Sequence, residues 1–172
     1  MEQELKMHDC FLILSAKEEG TSYLDLTGRY PITSSRGNQY IVVLYNYDTN
    51  SIQTALTKTR NAAKIRDVTI RLLTKLTHSG NPTNLHIMDN EASDTLKAAL
   101  LKHKIAYQLV PPHIHRRNTA ERAIQTFKNH FIAVLCTASP QFPAREWDHL
   151  LPQTEITMNL LHQSQFNPKL SA

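Results

Sequence analysis

The sequence predicts a single α/β domain, a mixed sheet with helices on its faces, and three observations predict it. The 172 residues suit one compact domain. With 41% hydrophobic and 20% charged residues, and four Gly against eight Pro, the chain is ordinary globular material, neither disordered nor collagen-like. Apolar stretches run strand, strand, strand, helix, strand, helix, strand, helix, an order in which the helices can pack on a sheet that mixes antiparallel and parallel neighbours.

Residues 1–20 have weak periodicity and end in Lys17, Glu18, Glu19 and Gly20, so they read as a lead-in segment to a domain spanning 21–172. Tyr23, Leu24 and Leu26 then suit a first strand, and Gly28, Pro31 and the run from Ser34 to Gly37 mark turns. Residues 39–46 (QYIVVLYN) are the strongest strand, dense in β-branched and aromatic side chains. Asp48, Thr49 and Asn50 turn the chain into a third strand over 51–56, so three antiparallel strands open the domain. A helix over 60–76 carries Ile65, Val68, Leu72 and Leu76 on one face and stops at Gly80, Asn81 and Pro82. Residues 85–88 form a short strand that delivers Asp89 to its carboxyl end, and Ser93 caps a helix bearing Leu96, Ala99 and Leu100. A fifth strand covers 105–110. Pro111 and Pro112 open a loop through His115, and Asn118 caps a long helix whose stripe is Ala120, Ile124, Phe127, Phe131, Val134 and Ala138. In the last helical region, 146–162, Pro152 should kink or divide the helix, because proline lacks the backbone donor and clashes with the preceding turn.

No apolar run approaches the roughly 18 residues of a membrane span, and acidic Glu2 and Glu4 replace the basic start of a signal peptide, so nucleus or cytoplasm is expected. Cys10 and Cys136 form no clustered spacing, and both read as buried fillers. Charge points to a partner. The net charge is only +4, but residues 95–145 hold eight Lys and Arg against the single acid Glu121, leaving the rest of the chain slightly acidic. Such asymmetry favours a polyanion such as nucleic acid, although part of it is expected on any solvated helix face.

Three acids have the right placement for chemistry. Asp25 lies within the apolar first strand, Asp89 at the end of the fourth, and Glu121 one turn into the long helix. An unpaired carboxylate on a half-buried strand costs several kcal/mol unless a cation or hydrogen bonds compensate. Three carboxylates suit a hard ion, Mg²⁺ or Mn²⁺, and two such ions about 3.5–4 Å apart can assist an in-line phosphoryl displacement. Each acid also has a plainer reading: Asp25 as a cap on the turn at Thr27 and Gly28, Asp89 as an Asx-turn residue, Glu121 as part of a capping box begun by Asn118. Helix spacing sets Gln125 and Lys128 on the same face as Glu121.

Residues 24–31 (LDLTGRYP), 87–94 (IMDNEASD), 118–128 (NTAERAIQTFK) and 159–172 (NLLHQSQFNPKLSA) together resemble, in order and separation, the catalytic core of retroviral and LTR-retrotransposon integrases, DDE enzymes of RNase H-like fold. The resemblance implies an RNase H-like five-stranded sheet, with Asp25, Asp89 and Glu121 holding two Mg²⁺ or Mn²⁺ ions. It implies DNA integration: water cuts a phosphodiester near the element's DNA end, and the freed 3′-hydroxyl attacks target DNA. It also implies a homo-oligomer, because two DNA ends are joined in concert, and requires no small-molecule cofactor. Lys128 matches the lysine that holds DNA in the family. Gln125, Arg116, Arg117, Arg122, Asn118 and His115 are the other candidate DNA contacts, with the loop of residues 113–117 gripping phosphates. The chain departs from the pattern in three ways. Only 31 residues separate Asp89 from Glu121, fewer than the family's usual spacing; no His/Cys pairing for an amino-terminal zinc domain occurs; and no carboxyl-terminal DNA-binding module follows. A metal-dependent nuclease of the same fold, or a DNA-binding module without catalysis, are the alternatives.

Overall fold

A computed structural model describes residues 19–89, 92–110 and 118–172, Asn118 and Thr119 by backbone alone. Five strands form one mixed sheet: β1 (Thr21–Leu26), β2 (Tyr40–Asn46), β3 (Ser51–Thr57), β4 (Leu85–Asp89) and β5 (Ala106–Val110), in the order β3-β2-β1-β4-β5. The first three pair antiparallel, while β4 lies parallel to β1 and β5 parallel to β4. The helices are α1 (Ala62–His78), α2 (Asp94–Lys102), α3 (Asn118–Thr137) and α4 (Leu151–Leu161), with a 3-10 helix at Ala144–His149. This is the five-stranded mixed α/β sheet that the sequence predicts.

Strand β2 shows why the sheet needs cover on both sides. Ile41 through Tyr45 are fully buried, and alternation sends Ile41, Val43 and Tyr45 to one face and Val42 and Leu44 to the other. The first face packs on Ala120, Ile124, Phe127 and Phe131 of α3, on Trp147, and on Leu151 and Met158 of α4. The second packs on Val68, Leu72, Leu73 and Leu76 of α1 and on Leu96 and Leu100 of α2. Local chemistry sets the helix starts. Asn61 Oδ1 accepts from Ala63 N at 2.9 Å to open α1, and the Ser93 side chain caps α2 as expected.

The chain enters the sheet at Gly20, whose N donates to Asp48 Oδ2 at 2.6 Å and whose carbonyl accepts from Asn84 N at 2.8 Å. Its φ of +83°, with Pro82 O only 2.7 Å from where a Cβ would stand, admits glycine alone. The edge strand β3 is closed by side chains of α4. Ile52 N donates to Asn159 Oδ1 and Asn159 Nδ2 donates to Ile52 O, both at 2.8 Å, while Thr54 N donates to Glu155 Oε2 at 2.8 Å.

Two expectations are refined and one is corrected. Pro152 divides rather than kinks the last helical region: it stands in the first turn of α4, where its missing N–H has no intrahelical partner to lose. Helix α3 begins at Asn118 itself instead of after it, within the ordinary fraying of a helix end. Cys136 is exposed, not a buried filler, because five residues beyond Phe131 it has rotated off the apolar stripe. Among the described residues, no helix is long and apolar enough to cross a membrane.

Candidate active site

Sheet register brings the first two acids together. Strands β1 and β4 pair as Thr21 with Leu85, Ser22 with His86 and Tyr23 with Ile87, and two further residues along the same register lie Asp25 and Asp89. Both are therefore at the carboxyl end of adjacent parallel strands, the place where open α/β sheets present functional groups. Asp25 shares a sheet face with Tyr23, which packs against the core layer of α3, so its carboxylate points to the side on which Glu121 stands. Asp25, Asp89 and Glu121 line one cavity of about 120 Å³, together with Tyr23, Leu24, Ile87, Ala120 and Ile124. Asp89 and Glu121 are exposed, and the Asp25 side chain is 44% exposed, so all three are open to solvent and to a ligand from one direction.

Lys128, two helical turns beyond Glu121, donates from Nζ to Asp25 Oδ2 at 2.5 Å. Sequence spacing places this lysine on the Glu121 face, but its partner lies 103 residues away on β1 and has no local signal. Gln125 is exposed and donates from Nε2 to Asn129 Oδ1 at 2.9 Å, one turn along its own helix and away from the cavity lining. Arg122 is exposed beside Glu121. His115, Arg116 and Arg117 lie outside the described residues, as does the side chain of Asn118, whose backbone opens α3.

Among the described residues, the lining of this cavity offers three carboxylates and no sulfur or imidazole, which suits a hard, oxygen-seeking dication. The three do not crowd together. Among the described residues, the His/Cys/Asp/Glu group whose ligand atoms all lie within 4.8 Å of one another is a different one, Glu146, Asp148 and His149. The Lys128 ammonium drawn onto Asp25 is consistent with carboxylates spread around a shared space.

Three further features have no signal in the sequence. A larger cavity of about 600 Å³ adjoins the acidic one through Lys128, with Arg29, Tyr30, Leu135, Phe142 and Trp147 among its walls. It exists because the connection between β1 and β2 folds over α3: Tyr30 stacks on Trp147 with ring centroids 4.3 Å apart, and Trp147 Nε1 donates to Ile32 O at 2.8 Å. Beneath the acids, His86 is fully buried with its Nδ1 2.8 Å from Ser22 Oγ, a pair that the β1/β4 register makes. Desolvation pushes its pKa down to about 4, so the imidazole is neutral at physiological pH. Asp148 is fully buried at the end of the 3-10 helix. Burial works to raise its pKa, but the hydrogen bonds from Arg36 and Asn38, with the Ser34 hydroxyl nearby and the Arg36 charge, outweigh it and hold the carboxyl below its ordinary value.

Neither protein-family models nor curated protein sequences yield a match. Solved structures do. The HTLV-2 integrase catalytic core domain in complex with magnesium, in its trimeric form, aligns with a TM-score of 0.62 at 14% identity, covering 84% of this chain and 87% of that one. The catalytic core domain of BIV integrase aligns with a TM-score of 0.65 at 12% identity, covering 86% and 88%. A simian T-cell lymphotropic virus intasome, in complex with the PP2A regulatory subunit B56 gamma, aligns with a TM-score of 0.67 at 15% identity, covering 84% of this chain and 50% of the other. The chain thus has the fold of retroviral integrase catalytic cores, as the resemblance of its motifs implies.

Proposed function

We propose that this chain is the catalytic core of an integrase-type polynucleotidyl transferase, and that residues 21–172 form its working domain with residues 1–20 as a lead-in. One observation carries the reading: Asp25, Asp89 and Glu121, supplied by three separate elements of an integrase-core fold, line a single cavity. In this reading the three carboxylates hold two Mg²⁺ or Mn²⁺ ions, in keeping with the magnesium complex of the HTLV-2 core. When bound, the dications supply positive charge that stabilises the phosphoryl oxygens of an in-line displacement. The chain's own residues do the rest. With cations held by Asp25, Lys128 would be released from that carboxylate, and its ammonium would stand free to meet a DNA phosphate as a point charge beside the reacting group. Ala120 and Ile124, buried in the first turns of α3, give Glu121 a rigid base and keep water from the helix side of the cavity. Arg116, Arg117, Arg122, His115, Gln125 and Asn118 extend the DNA contact along α3 and the residues before it.

The reaction has two steps of one type. Water attacks a phosphorus near a DNA end and the 3′-oxygen leaves, taking a proton as a free hydroxyl; that hydroxyl then attacks a phosphorus in target DNA, breaking the bond to the target strand's own 3′-oxygen, which leaves and takes up the proton the attacking hydroxyl gives up. DNA ends, target DNA and further copies of this chain are the partners, consistent with the dimeric and trimeric HTLV-2 cores and with the viral intasome. The test is incubation with a labelled DNA duplex and Mn²⁺ or Mg²⁺, comparing wild type with Glu121→Gln. Metal-dependent cut and joined products, lost in the variant, are expected. Cut products alone select a nuclease of the same fold. No product from a sample shown by circular dichroism to be folded selects a DNA-binding module without catalysis.

A further inference from the structure

Away from the acidic cavity, the 3-10 helix Ala144–His149 gathers Glu146, Asp148 and His149 so that one ligand atom from each lies within 4.8 Å of the others. The three-residue repeat of a 3-10 helix stacks residues i and i+3, which brings His149 Nε2 to 2.8 Å from Glu146 Oε2. Asp148 joins from beneath. Its Oδ2 is taken by Arg36 Nε at 3.0 Å and Asn38 Nδ2 at 2.7 Å, but its Oδ1 is buried without a hydrogen-bond donor and stands 4.0 Å from His149 Nε2. A buried carboxylate oxygen left without a donor is costly, so its direction into the cluster calls for a ligand.

We propose that Glu146, Asp148 and His149 form a binding site for one transition-metal dication of the zinc class, separate from the acidic triad. The donor chemistry selects the ion. One imidazole nitrogen with two carboxylates is a borderline-soft set that zinc accepts and magnesium does not favour. Metal–ligand bonds of about 2.0–2.2 Å put neighbouring ligands of a tetrahedron about 3.4 Å apart. The observed 2.8 and 4.0 Å separations of His149 from its two partners bracket that value. Water completes the shell on the open side, where His149 is half-exposed. Arg36 and Asn38 belong to the connection between β1 and β2, so the ion ties that connection to the 3-10 helix through the two oxygens of one side chain.

The experiment uses the full chain with ZnCl₂ alone as probe, read by competition with a chromophoric chelator and by thermal melting. With the acidic triad filled by excess Mg²⁺, wild type binds one equivalent of zinc and its Tm rises. His149→Ala and Glu146→Gln, both changes at partly exposed positions, each weaken binding about tenfold or more, since even outer-shell partners of a metal are worth 10–100-fold. Glu121→Gln retains the binding, and excess Mg²⁺ does not displace the ion, which separates this site from the triad. Co²⁺ in place of Zn²⁺ gives the visible absorption of a tetrahedral complex in wild type and not in His149→Ala. Absence of zinc binding by folded wild type overturns the proposal, as does binding that His149→Ala and Glu146→Gln together leave unchanged.

Discussion

Replacing Lys128 with alanine separates the two interactions this residue is able to make. In the free protein its ammonium meets Asp25 at 2.5 Å, but the side chains are 27% and 44% exposed, so water screens the pair. Pairs of this kind contribute about 0–1 kcal/mol, and the vacated carboxylate is solvated rather than stranded. For a domain of this size 1 kcal/mol moves Tm by about 2–4 °C, so the variant should melt no more than about 4 °C below wild type. DNA binding should change in a different way. Each neutralised phosphate contributes about 0.9 to the slope of log affinity against log salt, so between 50 and 200 mM the wild type should lose about 3.5-fold more affinity than the variant. Fluorescence anisotropy of a labelled duplex across that range, with urea melts of both proteins, measures both effects. Equal affinity and equal slope would refute a phosphate contact at Lys128. A loss of several kcal/mol would show that the pair with Asp25 is structural.

Other perturbations test the frame beneath the site. Phe131 is fully buried between the sheet and Trp147, and Phe131→Ala should cost about 3–5 kcal/mol in denaturant melts. His86 has its folded pKa lowered from 6.5 to about 4, so the unfolded chain binds the proton first; stability is full above pH 6.5 and falls as pH drops toward 4. The loss should reach about 3 kcal/mol at the acid end, and a His86→Leu variant should lack that component when both are melted across pH 4–8. Asn159→Ala removes the acceptor of Ile52 N and the donor to Ile52 O, with an expected cost of about 1–3 kcal/mol; Asn159→Asp, which keeps the acceptor, should fall between the two.

What could be read from the sequence was whatever a local pattern encodes. The run YIVVLYN is buried on both faces as β2, and the four-and-three stepping of Ala120, Ile124, Phe127 and Phe131 is the buried stripe of α3. The positions of Asp25 within a strand and Asp89 at a strand end were also local, and register then places them side by side. Features that depend on distant contacts were silent. Nothing near Lys128 announces Asp25, nothing near Trp147 announces Tyr30, and Asp148 looks like any surface acid until Arg36 and Asn38 fold over it. His86 likewise reads as a polar interruption of a short apolar strand, whereas its burial follows from the chain that covers β4 and from Ser22 beside it.

The way α4 closes β3 has a consequence for the nascent chain. An unpaired strand edge is a template on which another extended chain can build, and here the groups that occupy it are 107 residues downstream of Ile52. At synthesis rates of about 5–20 residues per second, β3 waits roughly 5–20 s for Asn159 to be made. Through that interval Ile52 and its neighbours are the surface on which two half-made chains would adhere. The risk is one of timing, and it ends when Glu155 and Asn159 reach the strand.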